Sequence, residues 1–193
     1  MRFLKNLWAQ LHRFVFWAMI LTLFWCWVYT FVGDTSRDKK VILYVGAYEQ
    51  DQRSLALRLE EECLPAGIKM IQVRGFDYDI FMGTEPEGDL YVMKGSLLRT
   101  VLEETPDRLA ALPLPEGMVG YERDGACWGI RVFDPETQRG PAMAYIQYTP
   151  LQEPEPEAYY LCVDTFSPHF SGNVGALDNA AWEVAMALIS IDK

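Results

Sequence analysis

Two histidines and four cysteines are all that this 193-residue chain offers for metal or thiol chemistry, and their spacing gives them little to do together. His12 lies beside a long uncharged stretch, which leaves His169 alone in the rest of the chain, so a histidine metal cage or acid–base pair has almost no material. Cys63, Cys127 and Cys162 are far apart with no C-x-x-C pair. They read as small buried hydrophobes, with a disulfide between two of them as the alternative if they lie outside the cell. Cys162 and His169 put a thiol and an imidazole on a predicted strand and its following loop, without a third residue to orient the base. No glycine-rich phosphate loop is present. Glu60, Glu61 and Glu62 cluster at the end of a predicted helix, where they oppose the helix dipole, and nothing nearby in sequence completes an oxygen cage for a cation. The residues therefore predict no catalytic group, no metal and no cofactor, and the domain is expected not to be an enzyme.

Recognition chemistry is better supplied. Tyr48, Glu49, Phe76, Tyr78, Asp79, Lys94 and Ser96 combine aromatic faces with charges of both signs, a set suited to orienting a polar ligand. Three predicted strands bring them to one edge. Val41-Ile-Leu-Tyr-Val-Gly is a short apolar run closed by glycine, and Leu55, Leu59 and Cys63 recur at helical spacing up to the stop signal Pro65-Ala-Gly67. Ile68 to Val73 forms the second strand of this βαβ opening, and Asp89 to Met93 a third that runs through Lys94-Gly95-Ser96 into a turn and helix. In open α/β sheets ligands sit outside the carboxyl ends of the strands, where these seven residues fall.

Charge narrows the partners. Three of the 17 basic residues precede Gly33, leaving 14 against 27 carboxylates, a formal charge of −13 after that point. Nucleic acid is excluded as a partner, because neutralising phosphates needs clustered Lys and Arg.

Phe14 to Gly33 is twenty residues without a charge, long enough for a hydrocarbon core of roughly 30 Å, and Trp8, Trp17, Trp25, Trp27 and Tyr29 suit the two interfaces. The apolar core is long for a signal peptide, and no small-residue cleavage site follows it, so a retained transmembrane helix is expected. Residues 1–13 form a leader that carries Arg2, Lys5 and Arg13 and no acid, which favours a cytoplasmic N-terminus. Residues 34–40 are a short tether, and residues 41–193 one domain outside the cytoplasm. About 160 residues after the span fit a single core.

Further along, Leu97 to Leu109 predicts a helix, and Trp128 to Phe133 a strand. Asp134-Pro-Glu-Thr-Gln-Arg-Gly140 is a turn from which Ala142 to Tyr148 is expected to pair back as a hairpin. Asp134 to Glu157 as a whole, with its prolines and acids, reads as an exposed excursion on the sheet's rim. Tyr159 to Thr165 is the last strand, and a final helix from about Leu177 to Ile191 places Trp182, Ala185, Met186 and Ile189 at helical spacing.

The order of these elements resembles one lobe of an extracellular solute-binding protein of the two-lobed type. The matching pieces are Val41 to Tyr48, Gly67 to Val73 with Tyr78-Asp79, and Gly88-Asp-Leu-Tyr-Val-Met93. Trp128-Gly-Ile-Arg-Val resembles the strand that crosses to the second lobe, Tyr159 to Ser167 the strand that returns, and Asp178 to Ala185 the helix that packs afterwards. The resemblance implies an α/β fold, a three-layer mixed sheet with flanking helices like one lobe of a type 2 periplasmic binding protein, here preceded by one transmembrane helix. Only Asp134 to Ala158 separates the crossing and returning strands, so there is no room for a second lobe. The expected function is an anchored, non-catalytic recognition domain at the cell membrane, associated with a small polar ligand, a membrane-protein partner or a transporter. The alternative is a structural or assembly subunit of a membrane complex with no small-molecule ligand.

Overall fold

The computed structural model describes residues 2–33, 35–76, 81, 88–150, 156–171 and 179–191. The chain divides into two compact units, Met1–Ser36 and Arg37–Lys193. The first is a single helix, α1 (Arg2–Gly33), whose segment Gln10–Val28 has a mean hydropathy of 1.5 and no buried residue. Phe14, Trp17, Leu23 and Trp25 are each more than half exposed. It is one helix long and apolar enough to span a membrane, as a single-pass anchor or a signal sequence does.

The second unit is mixed α/β. Its strands are β1 (Lys40–Val45), β2 (Glu49–Gln50), β3 (Met70–Gly75), β4 (Leu90–Lys94), β5 (Gly120–Arg123), β6 (Ala126–Phe133), β7 (Ile146–Gln147) and β8 (Tyr159–Val163). Its helices are α2 (Gln52–Glu62), α3 (Gly95–Glu104) and α4 (Ala180–Ser190). Six strands form one sheet in the order β3-β1-β4-β8-β6-β5, and β2 pairs with β7 in a separate ribbon. β3, β1 and β4 are parallel, as the intervening α2 demands of β1 and β3, whereas β8 runs antiparallel between β4 and β6.

Period-two alternation sorts the two faces. Val41, Leu43 and Val45 of β1, Ile71 and Val73 of β3, and Leu161 and Val163 of β8 share a core with Leu55 and Leu59 of α2 and with α4. Tyr91 and Met93 of β4 and Cys162 of β8 point to the other face, against Leu98, Val101 and Leu102 of α3. Helices thus cover both faces. Trp182 packs only part-buried against this core, while Leu188 and Val184 on the same helix are fully buried, so the weight given to Trp182 by spacing belongs to its neighbours.

Local chemistry sets several ends. Asp51 caps α2 by accepting from Ser54 N at 3.1 Å, which holds its carboxyl below the usual carboxylate range. At the other end Glu60 accepts from Ile71 N at 2.8 Å, tying α2 to β3, and Arg58 pairs with Glu61 and Glu62. The three acids are thereby occupied. Asp124 and Gly125, both at positive φ, make the two-residue turn joining β5 to β6.

The expected hairpin is corrected. Ala142 to Tyr148 does not pair with β6; β7 pairs instead with β2, in the register Glu49↔Gln147 and Gln50↔Ile146. Nor is the segment an exposed excursion, because Ala142, Ile146 and Tyr148 are at most 2% exposed. Tyr148 stacks on Phe133 at 4.9 Å, and its carbonyl accepts from Tyr159 Oη at 2.5 Å. A buried aromatic layer holds the segment to β6 and β8, an attachment that its turn-rich ends do not announce.

Candidate functional site

Because β1, β3, β4 and β6 all end on the same side, the sheet has one carboxyl edge, and most of the expected site residues are there. Gly46 lets β1 finish against its neighbours: its N donates to Val92 O at 2.7 Å, and an added Cβ would sit 3.1 Å from that oxygen and 3.5 Å from Phe76. The chain then turns under the 142–148 segment, with Tyr48 N donating to Gln147 O at 3.0 Å and Asp51 N to Tyr145 O at 2.9 Å. Glu49 and Asp51, in and just after β2, and Met143 and Tyr145, just before the β7 strand paired with it, line an open depression of about 510 Å³ along this two-stranded ribbon. Tyr48, 59% exposed, is fixed by its backbone in the adjoining position.

The remaining expected residues divide. Phe76 belongs to an aromatic cluster with Phe81 at 5.4 Å and Tyr91 at 6.0 Å, so its ring serves the core on the α3 face. Lys94 precedes α3 and lies 6.0 Å over the Tyr159 ring. Ser96, in the first turn of that helix, donates its N–H to Glu157 Oε2 at 3.0 Å. Hydrogen bonding from the Ser96 side chain and then from its N–H, with Lys94 and Arg99 nearby, holds the Glu157 carboxyl below its ordinary value. Tyr78 and Asp79 lie outside the described residues. The edge therefore joins Tyr48 with Glu49, keeps Lys94 and Ser96 at a second point closed by Glu157, and leaves Phe76 half-buried against Phe81 and Tyr91.

The 140–147 segment crosses this edge and separates the Glu49 cleft from another of about 460 Å³ at the end of β6, walled by Arg131 and Arg139. Sequence reasoning passed over both arginines, since each was read as part of a turn or strand and not as a wall.

The opposite, amino edge holds a buried polar network that the sequence reading did not single out. Asp89, fully buried, accepts from Arg37 through both oxygens at 2.9 Å, from Ile42 N at 2.7 Å and from Ser167 Oγ at 2.5 Å. Asp164, beside it across β4 and β8, accepts from Tyr91 Oη at 3.0 Å, Arg108 Nε at 3.1 Å and Phe166 N at 2.8 Å. Burial is the largest influence on Asp164 and raises its carboxyl above the usual range, and burial likewise pushes the Tyr91 phenol up. The guanidinium of Arg108 is itself 4.3 Å from the Phe81 ring.

Ser167, His169 and Asp89 are the residue types of a hydrolytic triad, but the geometry is different. Ser167 donates straight to the aspartate, His169 uses its backbone N–H on Ser167 Oγ at 3.1 Å, and its ring Nε2 meets Arg37 O at 3.1 Å. Cys162 is fully buried, with its thiol pushed up by desolvation, and His169 is engaged by Arg37, so the two do not form a nucleophile–base pair. None of the four cysteines is in a disulfide, and no group of three or more metal-type side chains converges among the described residues.

No protein-family model matches this chain, and no curated protein does. A solved structure that it matches is thiaminase I from Bacillus thiaminolyticus, at 13% identity and a TM-score of 0.34, over 49% of this chain and 28% of that one. A likeness of that extent carries no argument about mechanism. It does correct the expectation of a non-enzyme: the matched protein is an enzyme, and nothing in the comparison favours a non-catalytic domain.

Proposed function

We propose that this chain is a membrane-anchored recognition domain, resembling one lobe of a solute-binding protein, that lies outside the cytoplasm and presents the carboxyl edge of its sheet to a small polar ligand. The observation that carries this reading is the open depression of about 510 Å³ at that edge, with Glu49 in its lining and Tyr48 exposed beside it. The strand order lends support: β8, the strand read as returning from a second lobe, enters antiparallel between β4 and the crossing strand β6. The 142–148 segment, paired with β2, lines the same depression.

A ligand of the folded state adds RT ln(1 + [L]/Kd), about 2.7 kcal/mol at a hundredfold excess over Kd. Full-length protein in lipid nanodiscs should therefore gain thermal stability from some member of a panel of sugars, amino acids and short peptides. Glu49→Gln and Tyr48→Ala should each remove that gain while leaving the unliganded melting temperature unchanged. A panel without effect would favour the assembly-subunit reading, in which another protein covers this edge.

A further inference from the structure

We infer that the arginine-walled cleft at the end of β6 is a binding site for a small carboxylate carrying an apolar body. It is separate from the Glu49 cleft, so this inference stands or falls apart from the ligand proposed there. Val132 and Phe133 of β6 and Ile189 and Ile191 at the end of α4 line it with apolar groups, Arg131 and Arg139 line it as well, and the exposed Arg139 supplies the guanidinium. A guanidinium is the cation best matched to a carboxylate, since its planar fork donates two parallel hydrogen bonds.

Both arginines are positioned by their backbones. Arg131 N donates to Val119 O at 2.8 Å, and Arg139 O accepts from Asp134 N at 2.9 Å. Gln138, at φ 53°, reverses the chain just before Arg139. Gly140 then lets the turn settle onto β6, because an added Cβ there would lie 2.7 Å from Val132 O.

The nearest carboxylate is a weak competitor. Asp134 Oδ1 is 3.7 Å from Arg131, longer than a hydrogen bond, and the same carboxylate already accepts from Glu136 N at 3.2 Å and Thr137 Oγ1 at 2.9 Å. The exposed Arg139 guanidinium meets no carboxylate among the described residues. In a domain this acidic a bare anion is repelled at long range, so occupancy requires an apolar body for the apolar lining as well as a carboxylate for Arg139. A cleft of about 460 Å³ takes a body of one ring and a short chain.

The test uses full-length protein in nanodiscs of zwitterionic lipid, titrated by calorimetry with phenylpropanoate, phenylpropanol and phenylpropylamine. Phenylpropanoate should bind, and the matched alcohol and amine should bind at least about tenfold more weakly, the loss expected when a charged hydrogen-bond partner is removed. Arg139→Ala should weaken phenylpropanoate by about the same factor, with Arg139→Lys in between, and should leave the melting temperature alone because this side chain is exposed. Glu49→Gln should bind phenylpropanoate as wild type does. Equal binding of the three compounds, no binding of the carboxylate, or a loss caused by Glu49→Gln and not by Arg139→Ala would each overturn the assignment.

Discussion

Arg37 grips Asp89 through both guanidinium nitrogens, 2.9 Å from each carboxylate oxygen, although the two are 52 residues apart in sequence. Asp89 is fully buried and Arg37 about one-third exposed, so the carboxylate depends on the pair more than the cation does. The same aspartate accepts from Ile42 N, which fixes the start of β1 against the start of β4. Removing one partner of a buried pair costs about 3–5 kcal/mol. Arg37→Ala should fall at the lower end of that range, since water reaches the vacated side, and Arg37→Ala with Asp89→Asn together should cost less than the two single changes summed. Denaturant melts of the four proteins provide the measurement, and strict additivity would show that the pair is not coupled.

Two carboxyls should give the stability a pH dependence of opposite signs. Asp164 is raised in the folded state by burial, so the folded protein holds this proton more tightly than the unfolded chain. Its contribution is full below the unfolded value of 3.8 and is lost as pH rises through the raised folded value. Glu157 is lowered, chiefly by the bond from Ser96, so its contribution is present above 4.5 and is lost as pH falls through the lowered folded value. Relative to wild type, Asp164→Asn should flatten the decline above about pH 4, and Glu157→Gln should flatten the decline on the acid side. Chemical melts across pH 2.5 to 7 separate the two, and the same slope change in both variants would contradict the assignment.

The strands β1, β3, β4, β6 and β8 were legible because each is a short apolar run ended by glycine or a polar turn, and α2 because Leu55 and Leu59 mark one face. β5 was missed although Asp124-Gly125 is a strong two-residue hairpin signal, because its own residues Gly-Tyr-Glu-Arg carry little apolar alternation. The Arg37–Asp89 and Arg108–Asp164 pairs join residues more than fifty positions apart, and no local pattern marks such a contact. Topology led to the carboxyl edge, where Tyr48 and Glu49 lie. Topology says nothing of which way a ring packs, and the half-buried contact of Phe76 with Phe81 was not visible to it.

Topology at the membrane gives a third prediction. The acid-free residues 1–13 ahead of the uncharged span favour a cytoplasmic N-terminus, which would put residues 37–193 on the other side. Protease added to intact cells or spheroplasts should then digest the domain without prior lysis. Full protection until the membrane is opened would place it inside, and a mature protein that begins after Gly33 would show α1 to be a cleaved signal.

The segment from Asp134 to Glu157 should prove indispensable, contrary to what its composition suggests. Its turn residues and prolines are real, but between them Ala142, Ile146 and Tyr148 are buried, and Ala142 N reaches Ile191 O at 3.4 Å at the end of the last helix. The Tyr148, Phe133 and Tyr159 rings form a triangle, with Tyr148 4.9 Å from Phe133 and 5.3 Å from Tyr159 and the latter two 6.0 Å apart, joining β6, the segment and β8 in one aromatic layer. Tyr148→Ala removes one of the three rings and should cost about 3–5 kcal/mol, the range for a buried aromatic truncated to alanine. Tyr159→Phe keeps the layer and removes only the bond to Tyr148 O, so it should cost about 1 kcal/mol. Replacing residues 135–157 by a short Gly-containing turn deletes the Tyr148 ring together with the β2–β7 ribbon, and should abolish cooperative unfolding. On the last helix Leu188→Ala, at a fully buried position, should cost about 2–5 kcal/mol and exceed Trp182→Ala at its part-buried one. A deletion variant that still melts in one sharp transition would mean that sheet and helices carry the fold without the segment, and that the aromatic layer only decorates them.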